Sequence, residues 1–292
     1  MQRKFLNHME GNTNLKRMIH DFWTRYPCAK NLITRGEAGK EFFLVHDRII
    51  DRLTPYHPRV FQYESARNKR VLEIGCGMGG HAWRFAKHAK ELYAIDLSTA
   101  NVELTKRRLE LYNIKGANIQ EGDAEKLDFS DNFFDYIYSN GVIHHTPDTD
   151  KAAQEIYRVL KPGGTATIMI YHKNSIFRWF DLMFLGCLKY LLLKSIPQTL
   201  VRCVLGSDSS VYELKKIIDK RSWKSIPDLV LCHSDGHFNP HTKVYTIAES
   251  KKLFFRFREI KTELLSSSDR LLEKIPWVNR HFGWCLFIFL KK

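Results

Sequence analysis

Residues 71–81, VLEIGCGMGGH, change abruptly from a strand-forming run to a glycine cluster, with four glycines in six consecutive positions. A turn without side chains between a strand and a helix lets backbone N–H groups approach a ligand closely. Gly75, Gly77 and Gly80 satisfy the dinucleotide pattern GxGxxG, and Gly79 in place of the last glycine gives GxGxG. Close packing of the helix on the strand is the alternative explanation. The cluster therefore predicts a βα turn and leaves the kind of nucleotide open.

From residue 70 the chain alternates between short apolar runs and amphipathic segments, which predicts βαβ crossovers and a parallel sheet with helices on both faces. After residue 246 a predicted helix precedes two strands, which we expect to add as a terminal antiparallel hairpin without an intervening helix. The sequence thus predicts an α/β fold, a doubly wound, mostly parallel, seven-stranded Rossmann-like sheet with a helical insertion. The predicted strands are 70–75, 91–96, 116–123, 134–140, 165–171, 257–265 and 281–292, and the last helix is 246–257.

Polar residues stand where these predicted strands end. Asp96 ends the second strand, where a carboxylate can accept hydrogen bonds from both hydroxyls of a ribose. Asp123 and Ala124 follow the third strand, and Asn140 ends the fourth. Because the carboxyl ends of parallel strands meet at one edge of the sheet, we expect these residues to form a cradle with the glycine turn.

Four motifs in order resemble those of the class I S-adenosylmethionine-dependent methyltransferases: EIGCGMG, AIDLS, GDAEKLDFSDNFFDYIYSNGVIHHTPD and YRVLKPGG. The nearest likeness is to the type 11 branch, which includes ubiquinone- and menaquinone-biosynthesis-like enzymes. The resemblance covers residues 68–172 well, the terminal helix and hairpin loosely, and the segment before them hardly at all. It implies S-adenosylmethionine as the cofactor, consistent with a turn that lacks the lysine suited to phosphate.

The resemblance also implies roles for individual residues. Asp96 would bind the ribose, with Leu97 beside the adenine. Asp123 would accept a hydrogen bond from the adenine amino group, with the Ala124 N–H opposite, and Asn140 would lie near the methionine and the sulfonium. The methionine end of the cofactor, with its ammonium, would contact Glu73, Gly75, Cys76, Gly77 and Gly79.

His144 and His145 end the fourth strand, close to where the resemblance places the transferred methyl group. Methyl transfer chiefly needs an aligned nucleophile, but an acceptor that carries a proton also needs a base. We expect His145 rather than His144 to be that base, and structural support of the pocket by both rings is the alternative. We expect no metal site, because the six cysteines include no CxxC pair and Pro240 separates His237 from His241.

The chain divides into four predicted parts. Residues 1–65 are predicted to form a helical lid over the cofactor, 66–172 the cofactor-binding core, 173–243 a helical insertion acting as a substrate lid, and 244–292 the terminal helix and hairpin. The net charge of +14 lies outside the core, which contains 14 Lys and Arg and 14 Asp and Glu residues. The basic flanks therefore have an ordinary solvated surface or attract an acidic partner.

The insertion contains one strongly apolar segment, residues 175–197. At helical spacing, its polar residues Arg178, Asp181 and Lys189 form one narrow stripe. Such a helix packs in the core, lines an apolar substrate pocket, or lies in a membrane interface, and we expect core packing. The apolar face comprises Phe177, Trp179, Phe180, Met183, Phe184, Leu188, Tyr190 and Leu191.

These observations predict a cytoplasmic methyltransferase that acts on a small acceptor, lipophilic or anionic, with a hydroxyl oxygen as the expected target and carbon or nitrogen as alternatives. An RNA or protein methyltransferase, or a partner subunit that binds the cofactor without catalysis, remains open. We do not expect nucleic-acid binding, because SNGVIHH stands where an Asn-Pro-Pro-Tyr-like element would follow the fourth strand. Peripheral membrane contact and the oligomeric state stay open.

Overall fold

The computed structural model describes residues 2–27, 38–176, 187–205, 239–266 and 275–292, together with positions 179, 184, 215 and 219. Two long helices precede the sheet: α1 (Gln2–Arg25) and α2 (Lys40–Leu53). Helix α3 (His57–Phe61) and a 3₁₀ turn (Tyr63–Ala66) then lead into the first strand.

The first half of the sheet forms around the glycine turn. Strand β1 (Arg70–Ile74) is followed by a short helix, α4 (Ala82–Ala86), and β2 (Glu91–Asp96) by α5 (Thr99–Leu111), before β3 (Asn118–Glu121). The side chain of Ser98 caps α5 by accepting a hydrogen bond from the Asn101 N–H. This cap begins the helix immediately beyond Asp96, so the strand end and the helix start face the same edge.

The second half continues the pattern. Strand β4 (Phe134–Asn140) is followed by a 3₁₀ turn (Ile143–His145) and helix α6 (Thr149–Val159), which leads directly into β5 (Leu160–Tyr171). Helices α7 (Cys187–Ser195) and α8 (Gln198–Leu205) lie in the insertion. The chain then forms α9 (Ile247–Leu253), β6 (Glu259–Leu265), α10 (Pro276–Phe282) and β7 (Cys285–Lys291).

The seven strands have the order β3-β2-β1-β4-β5-β7-β6. Strands β1 to β5 are parallel, whereas β7 runs antiparallel to both β5 and β6. The predicted sheet and its terminal antiparallel pair are therefore confirmed. The order reverses between β1 and β4, and in sheets of this kind ligands bind at that point, beyond the carboxyl ends of the strands.

Both faces of the sheet are covered. One apolar cluster includes Leu72, Ile137 and Ile168 with residues of α6 and α9, and a second includes Val71, Phe85 and Tyr138. Neighbouring residues of one strand thus face opposite layers, as expected for a sheet buried on both sides. These two layers hold the strand ends in fixed relative positions.

Several predicted boundaries were wrong, among them both ends of β3, predicted as 116–123, and the start of β5, predicted at residue 165. Helix α10 separates β6 from β7, with Pro276 at a position where proline favours a helix start, so the terminal strands are not joined by a simple hairpin turn. Strand β7 begins at Cys285 rather than at residue 281. Helix α9 ends at Leu253 rather than at residue 257, because the next residues turn to bury Phe254 and Phe257.

The predicted core packing of residues 175–197 is also wrong for the side chains that the structure describes. Trp179, Phe184, Leu188 and Leu191 are exposed, and Tyr190 is buried. Phe177, Arg178, Phe180, Asp181, Met183 and Lys189 lie outside the described side chains. Within the described part of the chain, none of the helices combines the length and apolarity needed to span a bilayer.

The N-terminal helices attach to the core through buried polar contacts. Asp47 of α2 accepts hydrogen bonds from Trp83 Nε1 (3.2 Å), Arg84 (3.0 Å) and the Tyr112 hydroxyl (2.9 Å). His46, beside it, is buried and lies 3.1 Å from the Arg108 guanidinium. Burial, reinforced by the positive charge of Arg108, lowers the pKa of His46 to about 4, so this ring is neutral near pH 7.

Candidate active site

A cavity of about 220 Å³ lies at the carboxyl ends of the parallel strands, under helix α1. One part is lined by the turn after β1 and by the ends of β2 and β3. The other part is lined by the ends of β4 and β5. The lining residues are Lys16, Ile19, Trp23, Ile74, Gly75, Gly77, Ile95, Asp96, Leu97, Asn101, Gly122, Asp123, Ala124, Asn140, Gly141, Val142, His145, Thr146, Pro147, Met169 and Tyr171.

Gly75 must be a glycine for two reasons. Its φ of +82° lies in the left-handed region, and a Cβ atom there would come within 2.2 Å of Val142 Cγ2. Gly77 also has a positive φ of +53°, but a Cβ atom there would meet nothing within 4 Å. The turn thus fits closely against the residues after β4 at Gly75 and leaves open space at Gly77.

Asp96 fixes the turn from the end of β2. Its Oδ2 accepts a hydrogen bond from the Gly77 N–H (2.9 Å), while Oδ1 accepts from the Ser98 N–H (2.9 Å) and from Asn101 Nδ2 (3.1 Å). Burial raises the pKa of this carboxyl, and the three donors oppose that rise. Asp96 is therefore held in one orientation at the cavity wall, with acceptor capacity on both oxygens.

Asp123 lies at the opposite end of the same wall and is paired with helix α1. Lys16 Nζ donates to Asp123 Oδ2 (2.6 Å) and to Glu125 Oε2 (2.5 Å). Burial opposes the charge on Lys16, but the two carboxylates outweigh it and raise the pKa of the ammonium. This bridge closes α1 over the part of the cavity where the sequence predicts adenine.

Glu73 and Cys76 were predicted to contact the cofactor, but neither lines the cavity. Burial raises the pKa of Glu73 well above its usual value, and its Oε2 has no hydrogen-bond partner among the described residues. Burial likewise raises the pKa of the Cys76 thiol, whose sulfur accepts from the Thr105 hydroxyl at 3.4 Å. Gly79, also predicted, packs against Thr105 rather than lining the cavity. Glu73 is buried in β1, whereas Cys76 and Gly79 belong to the turn without lining the cavity.

Asn140, at the end of β4, is oriented by a chain of side chains. Its Nδ2 donates to His81 Nε2 (3.1 Å), and His81 Nδ1 in turn lies 2.8 Å from the Tyr63 hydroxyl. Burial lowers the pKa of His81 well below its usual value, which keeps the ring neutral and able to accept. The arrangement leaves the buried Asn140 Oδ1 without a partner among the described residues, as an acceptor at the cavity wall.

His145 lines the cavity and is oriented by the segment that returns from the insertion. Its Nδ1 lies 2.9 Å from the backbone carbonyl oxygen of His241. Since a carbonyl only accepts, Nδ1 carries the proton, and in the neutral ring Nε2 carries the lone pair. The ring also packs edge-on against Trp23 of α1, with ring centroids 5.3 Å apart.

His144 is placed differently from its neighbour. It is fully buried, does not line the cavity, and neither of its ring nitrogens has a hydrogen-bond partner within the described residues. Burial lowers its pKa well below the usual value, with smaller contributions from His145 and His241. Its ring lies 4.1 Å from that of Tyr171, so His144 supports the aromatic wall from behind.

Sequence reasoning assigned no site role to the residues that α1 contributes. Lys16 and Trp23 of α1 and Met169 of β5 line the cavity without belonging to a motif that resembles a cofactor-binding one. Val142 lies within such a motif, and Tyr171 ends the fifth predicted strand, where the sequence indicates that it faces the same edge of the sheet. Of the residues that the structure describes, none form a group of three or more metal-ligating side chains.

The cavity suits S-adenosylmethionine by its donors and acceptors. The cofactor has two ribose hydroxyls and an ammonium group, which need acceptors, and Asp96, Asp123 and the unpartnered Asn140 Oδ1 provide them. The Gly75 turn provides the close backbone approach. Leu97 and Ala124 line the cavity between these groups, where the resemblance places adenine.

Comparisons with known proteins agree with this geometry. A family model described as a methyltransferase domain matches residues 72–168. The chain is 32% identical over 173 residues to phthiotriol/phenolphthiotriol dimycocerosates methyltransferase 1 of Mycobacterium ulcerans, covering 53% of this chain and 60% of that protein. It is 34% identical over 120 residues to a fatty-acid O-methyltransferase of Mycolicibacterium smegmatis, and this match covers 39% of this chain and 43% of that protein. The chain thus spans 60% or less of the length of these relatives.

A solved structure shares the fold over nearly the whole chain. Phosphoethanolamine N-methyltransferase 2 of Haemonchus contortus, in complex with phosphomonomethylethanolamine and S-adenosylhomocysteine, superposes with a TM-score of 0.55 and 16% identity, covering 94% of this chain and 60% of that one. The predicted family and fold are confirmed: residues 72–168 form a methyltransferase domain of the type 11 family.

Proposed function

We propose that this chain transfers the methyl group of S-adenosylmethionine to a small lipophilic acceptor, with a hydroxyl oxygen as the target. One observation carries the proposal: the cavity has two unlike parts. Asp96 and Asp123 give one part acidic acceptors, whereas Trp23, Met169 and Tyr171 give the other an apolar and aromatic surface. The first part suits a nucleoside and the second suits an acceptor without charge.

The relatives support an acceptor of this class. The Mycobacterium ulcerans relative is named for phthiotriol and phenolphthiotriol dimycocerosates, and the Mycolicibacterium smegmatis relative for fatty acids and transfer to oxygen. Both names describe lipids. They align with the domain that forms the cavity and cover only part of each relative, so the acceptor of this chain remains a proposal.

The residues that would hold the cofactor are the turn at Gly75 and Gly77, Asp96, Asp123 and Asn140. When bound, S-adenosylmethionine supplies an electrophilic methyl group on a sulfonium. The contribution of the chain is to align the acceptor with that methyl group and to keep water out, which is where most of the acceleration of such a displacement arises. Trp23 and Tyr171 would line the acceptor side and exclude water from it.

His145 would serve as the base for a hydroxyl acceptor. The bond from Nδ1 to the His241 carbonyl oxygen fixes the tautomer in which Nε2 carries the lone pair. That nitrogen can take the proton that the hydroxyl loses as its oxygen attacks the methyl group. His144 would act only by packing, because it lies behind the wall.

Helix α1 would act as a lid, in line with the prediction for residues 1–65. The cavity beneath it, about 220 Å³, is smaller than the roughly 300–1,000 Å³ usual for ligand sites, so α1 must shift when cofactor and acceptor bind together. The bridge from Lys16 to Asp123 and Glu125 is the contact that must rearrange.

Incubation with methyl-labelled S-adenosylmethionine and a total metabolite extract tests the function. We expect label in the fraction that partitions into organic solvent, and we expect it to survive mild alkaline treatment, because a methylated hydroxyl is an ether. Loss of the label on that treatment would instead identify a methyl ester and a carboxyl acceptor. Label that remains with RNA or protein after extraction would instead support a macromolecular acceptor. Binding of S-adenosylhomocysteine without any labelled product would support a partner subunit without catalysis.

Replacement of His145 tests the base. We expect His145→Gln to lower kcat by about 10²- to 10⁴-fold with little change in affinity for S-adenosylhomocysteine. His241→Gln is the matched control, because it changes a neighbouring ring but keeps the backbone carbonyl that orients His145. Equal kcat values for the two variants would remove His145 from the mechanism.

A further inference from the structure

We propose that α7 and α8 dock the protein on an anionic membrane surface. The observation is an outward-facing apolar stripe on each helix. Leu188, Leu191 and Leu192 follow helical spacing on α7, and Leu200 and Val204 do so on α8, and all five are exposed. The inference is independent of the methyl acceptor.

The exposed side chains reverse the usual pattern of a surface helix. Leu192 is 59% exposed, Leu200 54% and Val204 70%, whereas Tyr190 and Val201 are each 5% exposed and face the protein. A surface helix of a globular protein ordinarily turns polar residues outward. An outward apolar stripe on consecutive helices therefore marks a surface that meets something apolar.

Exposed apolar residues also stand beside these helices in the chain. Trp179 and Phe184 precede α7 and Ile196 lies between α7 and α8, and all three are exposed. Aromatic side chains, tryptophan above all, favour the boundary between lipid headgroups and acyl chains. The surface therefore combines aliphatic residues for the acyl boundary with rings suited to the headgroup level.

The charge of this segment favours an anionic partner. Residues 182–207 contain Lys189, Lys194 and Arg202 but no Asp or Glu. Basic residues beside an apolar helical face are the combination by which interfacial helices bind anionic lipids. The same charges disfavour a second copy of this chain as the occupant, because a symmetric contact would place one acid-free basic segment against another.

The lengths of the helices fit a surface position rather than a spanning one. Helix α7 has 9 residues and α8 has 8, whereas crossing a bilayer takes about 20. Such helices lie in the plane of the interface with their apolar side chains in the headgroup and acyl boundary.

Flotation with vesicles tests the proposal on the full chain. Vesicles of phosphatidylcholine with phosphatidylglycerol should carry the protein to the top of a gradient, and high salt or phosphatidylcholine alone should weaken the binding strongly. A triple variant, Leu192→Ser, Leu200→Ser and Val204→Ser, should lower partitioning by about tenfold or more without changing the charge. Phe255→Ser is the matched control, because Phe255 is 75% exposed but lies after α9.

Three results would overturn the inference. They are a wild-type chain that stays at the bottom of the gradient, a triple variant that floats like the wild type, and equal binding to both kinds of vesicle. Size-exclusion chromatography tests whether the surface binds a second copy of this chain instead. A dimeric wild type together with a monomeric triple variant would assign the surface to that second copy. Affinity for S-adenosylhomocysteine confirms that each variant is folded.

Discussion

Replacing Asp96 by Asn tests the cofactor site at its most constrained point. The amide keeps one oxygen, which can still accept from the Ser98 N–H and Asn101 Nδ2, while its NH₂ group then faces the Gly77 N–H, donor against donor. The same substitution removes one of the two oxygens that can accept ribose hydroxyls. Since Asn is neutral, it also removes the burial penalty that raises the pKa of Asp96, so folding stability should change little.

The loss of affinity follows from the number of acceptors removed. A hydrogen bond to a charged group contributes about 1.5–3 kcal/mol, so the loss of one ribose contact should raise the Kd of S-adenosylhomocysteine by about 10- to 150-fold. Isothermal titration calorimetry measures this directly. The matched control is Glu121→Gln: Glu121 pairs in register with Asp96 on β3, but it accepts a hydrogen bond from Thr99 and does not line the cavity.

The result that would refute this reasoning is a Kd for Asp96→Asn equal to those of the control and the wild type, in protein with an unchanged urea midpoint. It would show that the carboxylate orients the turn only. A large loss of stability together with weak binding would instead show that the contact with Gly77 dominates.

Three further predictions concern the turn, the buried histidines and the lid. Gly75→Ala should destabilise the fold by more than the roughly 1–2 kcal/mol that left-handed backbone strain costs, because the new Cβ atom would also clash with Val142. Gly163→Ala is the control, because Gly163 has a φ of +78° but no atom within 4 Å of the added Cβ, so this variant should show the strain alone. Equal urea midpoints for the two variants would contradict the prediction. Because the pKa of His46 is lowered to about 4, the neutral ring stabilises the fold above about pH 6.5, and this stability, about 3 kcal/mol in all, is lost as the pH falls toward 4. The His46→Gln variant should therefore lose less stability than the wild type between pH 7 and pH 4.5. Equal losses in the two proteins would disprove this role of His46. Deletion of residues 1–40 should weaken binding of S-adenosylhomocysteine and slow turnover, and unchanged values of both would reject the lid.

The sequence was sufficient to predict those features of the fold and of the site that depend on a few neighbouring residues. The glycine turn, Asp96, Asp123 and Asn140 each stand at the end of a predicted strand, and the strand ends of a parallel sheet converge whatever the rest of the chain does. The N-cap at Ser98 and the short apolar run that forms β1 are equally local. These features could be predicted because each depends on a few neighbouring residues.

Features that depend on distant packing could not be predicted in this way. Lys16 meets Asp123 across 107 positions, and no pattern near either residue indicates the other. The orientation of His145 depends on the backbone carbonyl of His241, 96 positions away near the end of the insertion. Glu73 and Cys76 belong to a motif that resembles a cofactor-binding one, yet both side chains are buried, and the residues beside them, Ile74, Gly75 and Gly77, line the cavity instead.

The position of β7 between β5 and β6 constrains the order in which the sheet can assemble. Strand β6 comes earlier in the chain, but among the described strands it pairs with β7 alone, so it cannot join the sheet until residues 285–291 have paired with β5. Until then β5 has an open edge, the kind of template on which nascent chains aggregate. Loss of β7 would therefore leave β6 without its partner and one edge of β5 open, and the chain must be synthesised through residue 291 before that edge is covered.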